Sequence, residues 1–144
     1  MVDDNEQLYR RVLKEHYTVE GGVLRISSQA FSDRRWEPSV DRARLREFDP
    51  RRTQVSADSG VVSIVARDVR AITQVTRQQD NVTTVFMPDP IEDPISASQG
   101  VEANPAHAVI VTNPRIPNGS TFRKLLEALS YLANKTGWVL PPAA

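Results

Sequence analysis

One histidine carries the strongest chemical signal in this chain. His107 stands at the mouth of the apolar run Asn104-Pro105-Ala106-His107-Ala108-Val109-Ile110-Val111-Thr112-Asn113-Pro114. Its imidazole is the side chain whose ordinary pKa lies nearest neutrality, so at the start of a buried strand it could serve as general acid or base. The competing role is to fasten the segment that precedes it, because buried polar groups are normally held by a partner. The small Ala106 and Ala108 leave room beside the ring. Ser28, which follows the short apolar run Val23–Ile26, is the hydroxyl that would complete a catalytic arrangement with His107. Arg10 and Arg25 are the cations that would grip an anionic ligand there, since a guanidinium matches phosphate and carboxylate oxygens in a fork. His16, the other histidine, reads as a cation at a helix C-terminus.

A second set of cations lies between residues 34 and 52. Arg34, Arg35, Arg42 and Arg46 stand there with Trp36 and Phe48, and interleaved cations and aromatics can hold phosphates and stack bases. Asp33, Glu37, Asp41, Glu47 and Asp49 share the stretch and neutralise much of that charge. Nucleic-acid binding is therefore a secondary expectation, with net charge zero across the chain.

Other chemistry is excluded by what is missing. The chain has no cysteine, which removes disulfides, thiolate metal sites and thiol nucleophiles. No residue spacing advertises a metal site, and the expectation is no metal and no cofactor. Gly21-Gly22 does not extend to a dinucleotide fingerprint, and no glycine-lysine phosphate loop occurs. No Gly-x-Ser-x-Gly elbow and no His-Glu-x-x-His helix is present. The acidic opening Met-Val-Asp-Asp-Asn-Glu is unlike a signal peptide, and no stretch reaches the roughly 18–20 apolar residues of a membrane span. A soluble cytoplasmic protein is expected.

The elements that must position these residues follow from periodicity and turn chemistry. At 144 residues the chain fits a single domain, with 40% hydrophobic and 25% charged residues. Leu8, Tyr9, Val12 and Leu13 predict a first helix between Asn5 and His16, with a strand over 7–13 as the alternative. Val23–Ile26 reads as a strand, Val40–Glu47 as a short helix capped by Ser39, and Val61–Ala66 as a β-branched strand. Arg67–Ile72 reads as a short helix. Thr73–Thr76 and Val82–Met87 read as a hairpin about Gln78–Asn81. Pro88–Pro105 is expected to be a long irregular acidic loop, longer than the roughly 12–15 residues compact domains usually allow without a purpose. His107–Val111 is a strand. Phe122, Leu125, Leu126, Leu129, Leu132 and Ala133 mark one face of a C-terminal helix over 121–135, capped by Ser120 and closed by Gly137. The fold class is α+β: a mostly antiparallel sheet of about five strands, covered by that long helix and joined by one or two shorter N-terminal helices.

Charge is unevenly spread along this order. From Arg10 to Arg77 fourteen Lys and Arg face nine Asp and Glu, and from Gln78 to Asn113 there is no Lys or Arg at all. Such halves invite a protein partner or self-association. The leading expectation is a protein-interaction or ligand-binding module. The enzyme alternative acts on a phosphate-bearing ligand such as NAD or a nucleotide. Leu8-Tyr9-Arg10-Arg11-Val12 and the serine-bearing segment after it resemble the opening of ADP-ribosyltransferase-like and RES-type domains. That resemblance spans about the first forty residues and implies an early arginine and a serine around NAD. The glycine-rich, tryptophan-bearing segment of RES domains is lacking, and no Glu after the second strand can be matched.

Overall fold

Gln7–Val12 (β1) is a strand, not the first turns of a helix, and it lies inside the main sheet. Its neighbours explain why no clean alternation marks it. Leu8 and Val12 are buried on one face, while Tyr9 is buried on the other against Ala43, Val61 and Leu140. A strand covered on both faces loses the inside-outside rhythm that identifies half-buried strands. The chain then passes through a 3-10 turn, Lys14–His16, so His16 caps no α-helix. The computed structural model describes residues 1–143.

Tyr17–Glu20 (β2) and Val23–Ile26 (β3) form a separate hairpin whose turn uses Gly21 and Gly22 at positive φ. Ser39–Arg42 (β4) replaces the expected helix over 40–47, and only Ala43–Arg46 turns, as a 3-10 segment. Ser39 is therefore a strand residue rather than a helix cap. Arg51–Gln54 (α1) and Ala66–Arg70 (α2) are the two short helices; α2 is the helix expected over Arg67–Ile72, and no α-helix forms over 5–16 or 40–47. Gly60–Val65 (β5) is almost wholly buried. Thr76–Gln79 (β6) and Val82–Val85 (β7) form the expected hairpin, three residues later than predicted on its first arm. Asp80 and Asn81 take φ 52° and 62° there, the doubly positive geometry of a tight two-residue turn.

Met87–Glu92 (β8) corrects the reading of 88–105 as irregular from its start. Two prolines hid this strand. Proline is tolerated on an edge, where its missing N–H faces away from the ladder. The Pro90 carbonyl indeed turns outward and accepts from Arg70 Nη2 at 3.2 Å. Beyond it, residues 93–105 carry two isolated bridges, Ile95 with Asn104 and Ser98 with Val101.

His107–Asn113 (β9), Gly119–Thr136 (α3) and Trp138–Leu140 (β10) complete the chain. The six-stranded sheet has the order β10-β5-β1-β4-β9-β8, every neighbour antiparallel. The helix α3 begins one residue after Asn118, whose side chain accepts from Thr121 N at 2.9 Å. Asn118 thus takes the capping role expected of Ser120. Phe122, Leu125, Leu126 and Leu129 share one core with Leu8, Val40, Ile64 and Ile110 from the sheet. Each such side chain contributes roughly 1.5–3 kcal/mol on burial, so α3 and the sheet stabilise that core together. No helix among the described residues is long and apolar enough to cross a membrane.

Candidate functional site

The site begins where two strands part. β1 pairs with β4 only at Leu8 with Arg42 and Tyr9 with Asp41. Past Tyr9 the ladder stops and a cleft of about 250 Å³ opens between the strands. Arg10 holds the fork apart. Its Nε donates to Ala30 O at 3.0 Å, Nη1 to Ser39 O at 2.7 Å and Nη2 to Ser32 O at 3.1 Å. Its guanidinium also lies 5.8 Å from the centre of the Phe31 ring. Burial pulls Arg10 down to about 10, with Asp33 opposing that fall and Arg11 adding to it. Three carbonyls leave two of its five N–H groups unspent.

Around this guanidinium the cleft gathers Tyr9, Arg11, His16, Ser39, Asp41 and His107. Tyr9, Asp41 and His107 form one cross-strand row, because Tyr9 pairs with Asp41 and Asp41 with His107 in register. Burial, with help from Asp49, raises the Tyr9 hydroxyl above its ordinary pKa and keeps it a donor. Asp41 is the cleft's carboxylate, and it is already used. Thr53 Oγ1 donates to it at 2.8 Å, Asn104 Nδ2 at 3.0 Å and Arg46 Nε at 3.3 Å. Arg11 makes no ion pair or side-chain hydrogen bond among the described residues. A cleft lined by unspent donors beside a satisfied acceptor is chemically suited to an anion.

His107 enters from the start of β9. Its Nδ1 donates to Asp93 O at 2.8 Å and lies 3.3 Å from the Asp93 carboxylate. Asp93 N returns a bond to His107 O at 3.0 Å. The ring therefore ties the start of segment 93–105 to the sheet, and its Nε2 carries no partner among the described residues.

The expected site residues are brought together only in part. Arg10 and His107 line the same cleft. Ser28 opens the 3-10 turn Ser28–Phe31 and lies outside it; the neighbouring Ser27 does the capping, accepting from Gln29 N at 3.0 Å. Arg25 lies on the outlying β2–β3 hairpin, paired with Glu20 at 3.2 Å and exposed. No serine–histidine pair is assembled from Ser28 and His107.

The arginines proposed for nucleic acid are also divided. Arg42 is buried and grips Glu6 with two bonds, Nε to Oε1 at 2.8 Å and Nη2 to Oε2 at 2.9 Å. Arg46 is held by Asp41. Only Arg34 and Arg35 remain exposed and unpaired among the described residues, at the lip of a second cleft. Sequence reasoning missed Arg11 and the part played by His16. Arg11 follows Arg10 in β1 and His16 closes the turn after it, an arrangement that a helical reading of 5–16 concealed. Compared with protein families, with curated proteins and with solved structures, the chain matches none of them.

Proposed function

We propose that this chain is a ligand-binding module whose cleft between β1 and β4 holds a small molecule through an oxyanion group, phosphate or carboxylate. One observation carries the reading. Arg10, Arg11, His16 and His107 converge on the cleft, while Asp41, its carboxylate, is spent on Thr53, Asn104 and Arg46. Arg10 is partly buried and neither it nor Arg11 makes an ion pair among the described residues, so an anion that enters the cleft gains charge-assisted bonds from both. Arg10 is rigid by virtue of its three carbonyl contacts, and a pre-set guanidinium loses little freedom on binding. A cytoplasmic setting belongs to the same proposal.

Calorimetric titration with inorganic phosphate and with acetate tests it. The expected result is saturable binding of at least one anion, weakened about tenfold or more by Arg11→Ala, the magnitude of one charge-assisted contact. Absence of saturable binding by either anion at low ionic strength would overturn the proposal.

A further inference from the structure

The cleft is not closed at its far end. Ser39 and His107 line it, and both also line a second, larger cleft on the uncovered face of β8 and β9. The floor of that second cleft is Ile91, Val109 and Val111, and Arg34 and Arg35 rise at its lip. The two clefts are thus one groove with Ser39 and His107 at the saddle.

Seven arginines of the N-terminal half are held in ion pairs. Arg25, Arg42, Arg44, Arg46, Arg51, Arg52 and Arg70 all pair with carboxylates. Arg10, Arg11, Arg34 and Arg35 do not, among the described residues, and all four line the groove; Lys14, Arg67 and Arg77 also lack an ion pair and lie outside it. Acidic groups are present in the second cleft but are partly consumed. Asp33 accepts from Arg35 N at 2.8 Å and from Glu37 N at 3.4 Å. Asp93 is tied to His107. Along the whole groove Arg10, Arg11, Arg34 and Arg35 thus face three carboxylates, Asp33, Glu37 and Asp93, besides Asp41, which Arg46 holds.

Resting on the anion-binding reading of the inner cleft, we propose that the ligand is a chain of linked phosphoryl groups that runs from Arg10 and Arg11, over Ser39 and His107, to Arg34 and Arg35. Donors occur at both ends and at the saddle between them. A ligand with anionic oxygens along its whole length meets all of them, whereas a dicarboxylate with an apolar middle would leave the saddle unmet. A single-stranded nucleic acid fits less well. Base stacking needs open aromatic faces, and Trp36, the aromatic nearest in sequence to Arg34 and Arg35, packs on Phe122 with ring centres 6.3 Å apart.

The test is calorimetric titration of the whole chain with phosphate, tripolyphosphate and an oligothymidylate at one fixed ionic strength. Tripolyphosphate is expected to bind at least about tenfold more tightly than phosphate, because it reaches additional charge-assisted contacts. The Arg34→Ala/Arg35→Ala variant should cut that ratio about fivefold or more. Arg67→Ala, which removes an exposed arginine outside the groove, should leave the ratio unchanged and so exclude a bulk-charge effect. A ratio near one in the unaltered chain, or a ratio equally reduced by Arg67→Ala, overturns the extended ligand. Phosphate binding that still depends on Arg11 would then leave the inner cleft's role standing. Failure of phosphate and tripolyphosphate alike overturns both readings. Oligothymidylate binding tighter than tripolyphosphate and strongly salt-dependent would assign the groove to nucleic acid and overturn the inference as well.

Discussion

Replacing Arg42 by Met should expose the cost of an unpaired buried carboxylate, and should reverse the sign of one pH dependence. Arg42 and Glu6 are both buried, with side chains 8% and 5% exposed, and meet through two bonds of 2.8 and 2.9 Å. Burial alone would raise the Glu6 carboxyl. The bonds from Arg42, the Asp3 N–H and the nearby Arg44 outweigh it and hold the group below its ordinary value. A carboxyl lowered in the folded state adds stability that is fully present above its unfolded pKa and is lost as pH falls through the folded one. Removing the guanidinium leaves Arg44, at 3.9 Å, as the nearest remaining cation. Breaking one side of such a pair costs about 3–5 kcal/mol, or roughly 10 °C in Tm for a chain of this size. Burial then dominates and Glu6 rises, so its charged form opposes folding at neutral pH. Arg42→Met should gain on the unaltered chain as pH is lowered from 7 toward 5. The double variant Glu6→Met/Arg42→Met should recover about 2 kcal/mol or more of the loss, since a buried pair is often replaceable by apolar side chains. Urea denaturation of the unaltered chain and the two variants at several pH values measures all of this. A cost for Arg42→Met below about 1 kcal/mol, or no recovery in the double variant, would refute the reasoning.

Three further perturbations test how the surroundings of the site are held. His107→Ala removes the bond to Asp93 O and should raise proteolysis and hydrogen exchange in residues 93–105, at a cost of about 1–2 kcal/mol; unchanged protection there would contradict the fastening role. Val55 sits at φ 68°, ψ −52°, closing a three-residue turn through Ser56 N to Gln54 O at 2.8 Å. Glycine relieves that strain, so Val55→Gly should stabilise the chain by about 1 kcal/mol in urea denaturation, and destabilisation would show the backbone is unstrained. A Cβ at Gly60 would overlap the Trp138 ring, so Gly60→Ala should release β10 from β5, read as a red-shifted tryptophan emission and a Tm lower by several degrees.

The architecture was legible where packing agreed with local pattern. The face Phe122, Leu125, Leu126, Leu129 predicted α3, and the β-branched run at 61–65 predicted β5. The errors share a physical origin. β1 carries Arg10 in an inward row, because three main-chain carbonyls replace the water its guanidinium would otherwise need. β8 carries prolines because an edge has no need of their missing N–H groups. Ser39 looked like a helix cap because the residues that continue β4, Asp41 and Arg42, are charged and yet buried. Each of those charges is met by a partner distant in sequence: Asn104 for Asp41, Glu6 for Arg42. The same long-range pairing kept the site obscure. Arg10 and His107 were identifiable by residue type, but their meeting depends on the register of β1, β4 and β9. Arg11 and His16 line the same cleft because 7–12 is a strand followed by the turn Lys14–His16, a path that a helical reading of 5–16 hides.

Amide chemical-shift mapping with inorganic phosphate bears most directly on the anion cleft. The predicted result is saturable movement concentrated at Tyr9–Arg11, His16, Ser39–Asp41 and His107, absent in Arg11→Ala. Shifts centred elsewhere on the sheet, or none up to saturating phosphate at low ionic strength, would contradict it.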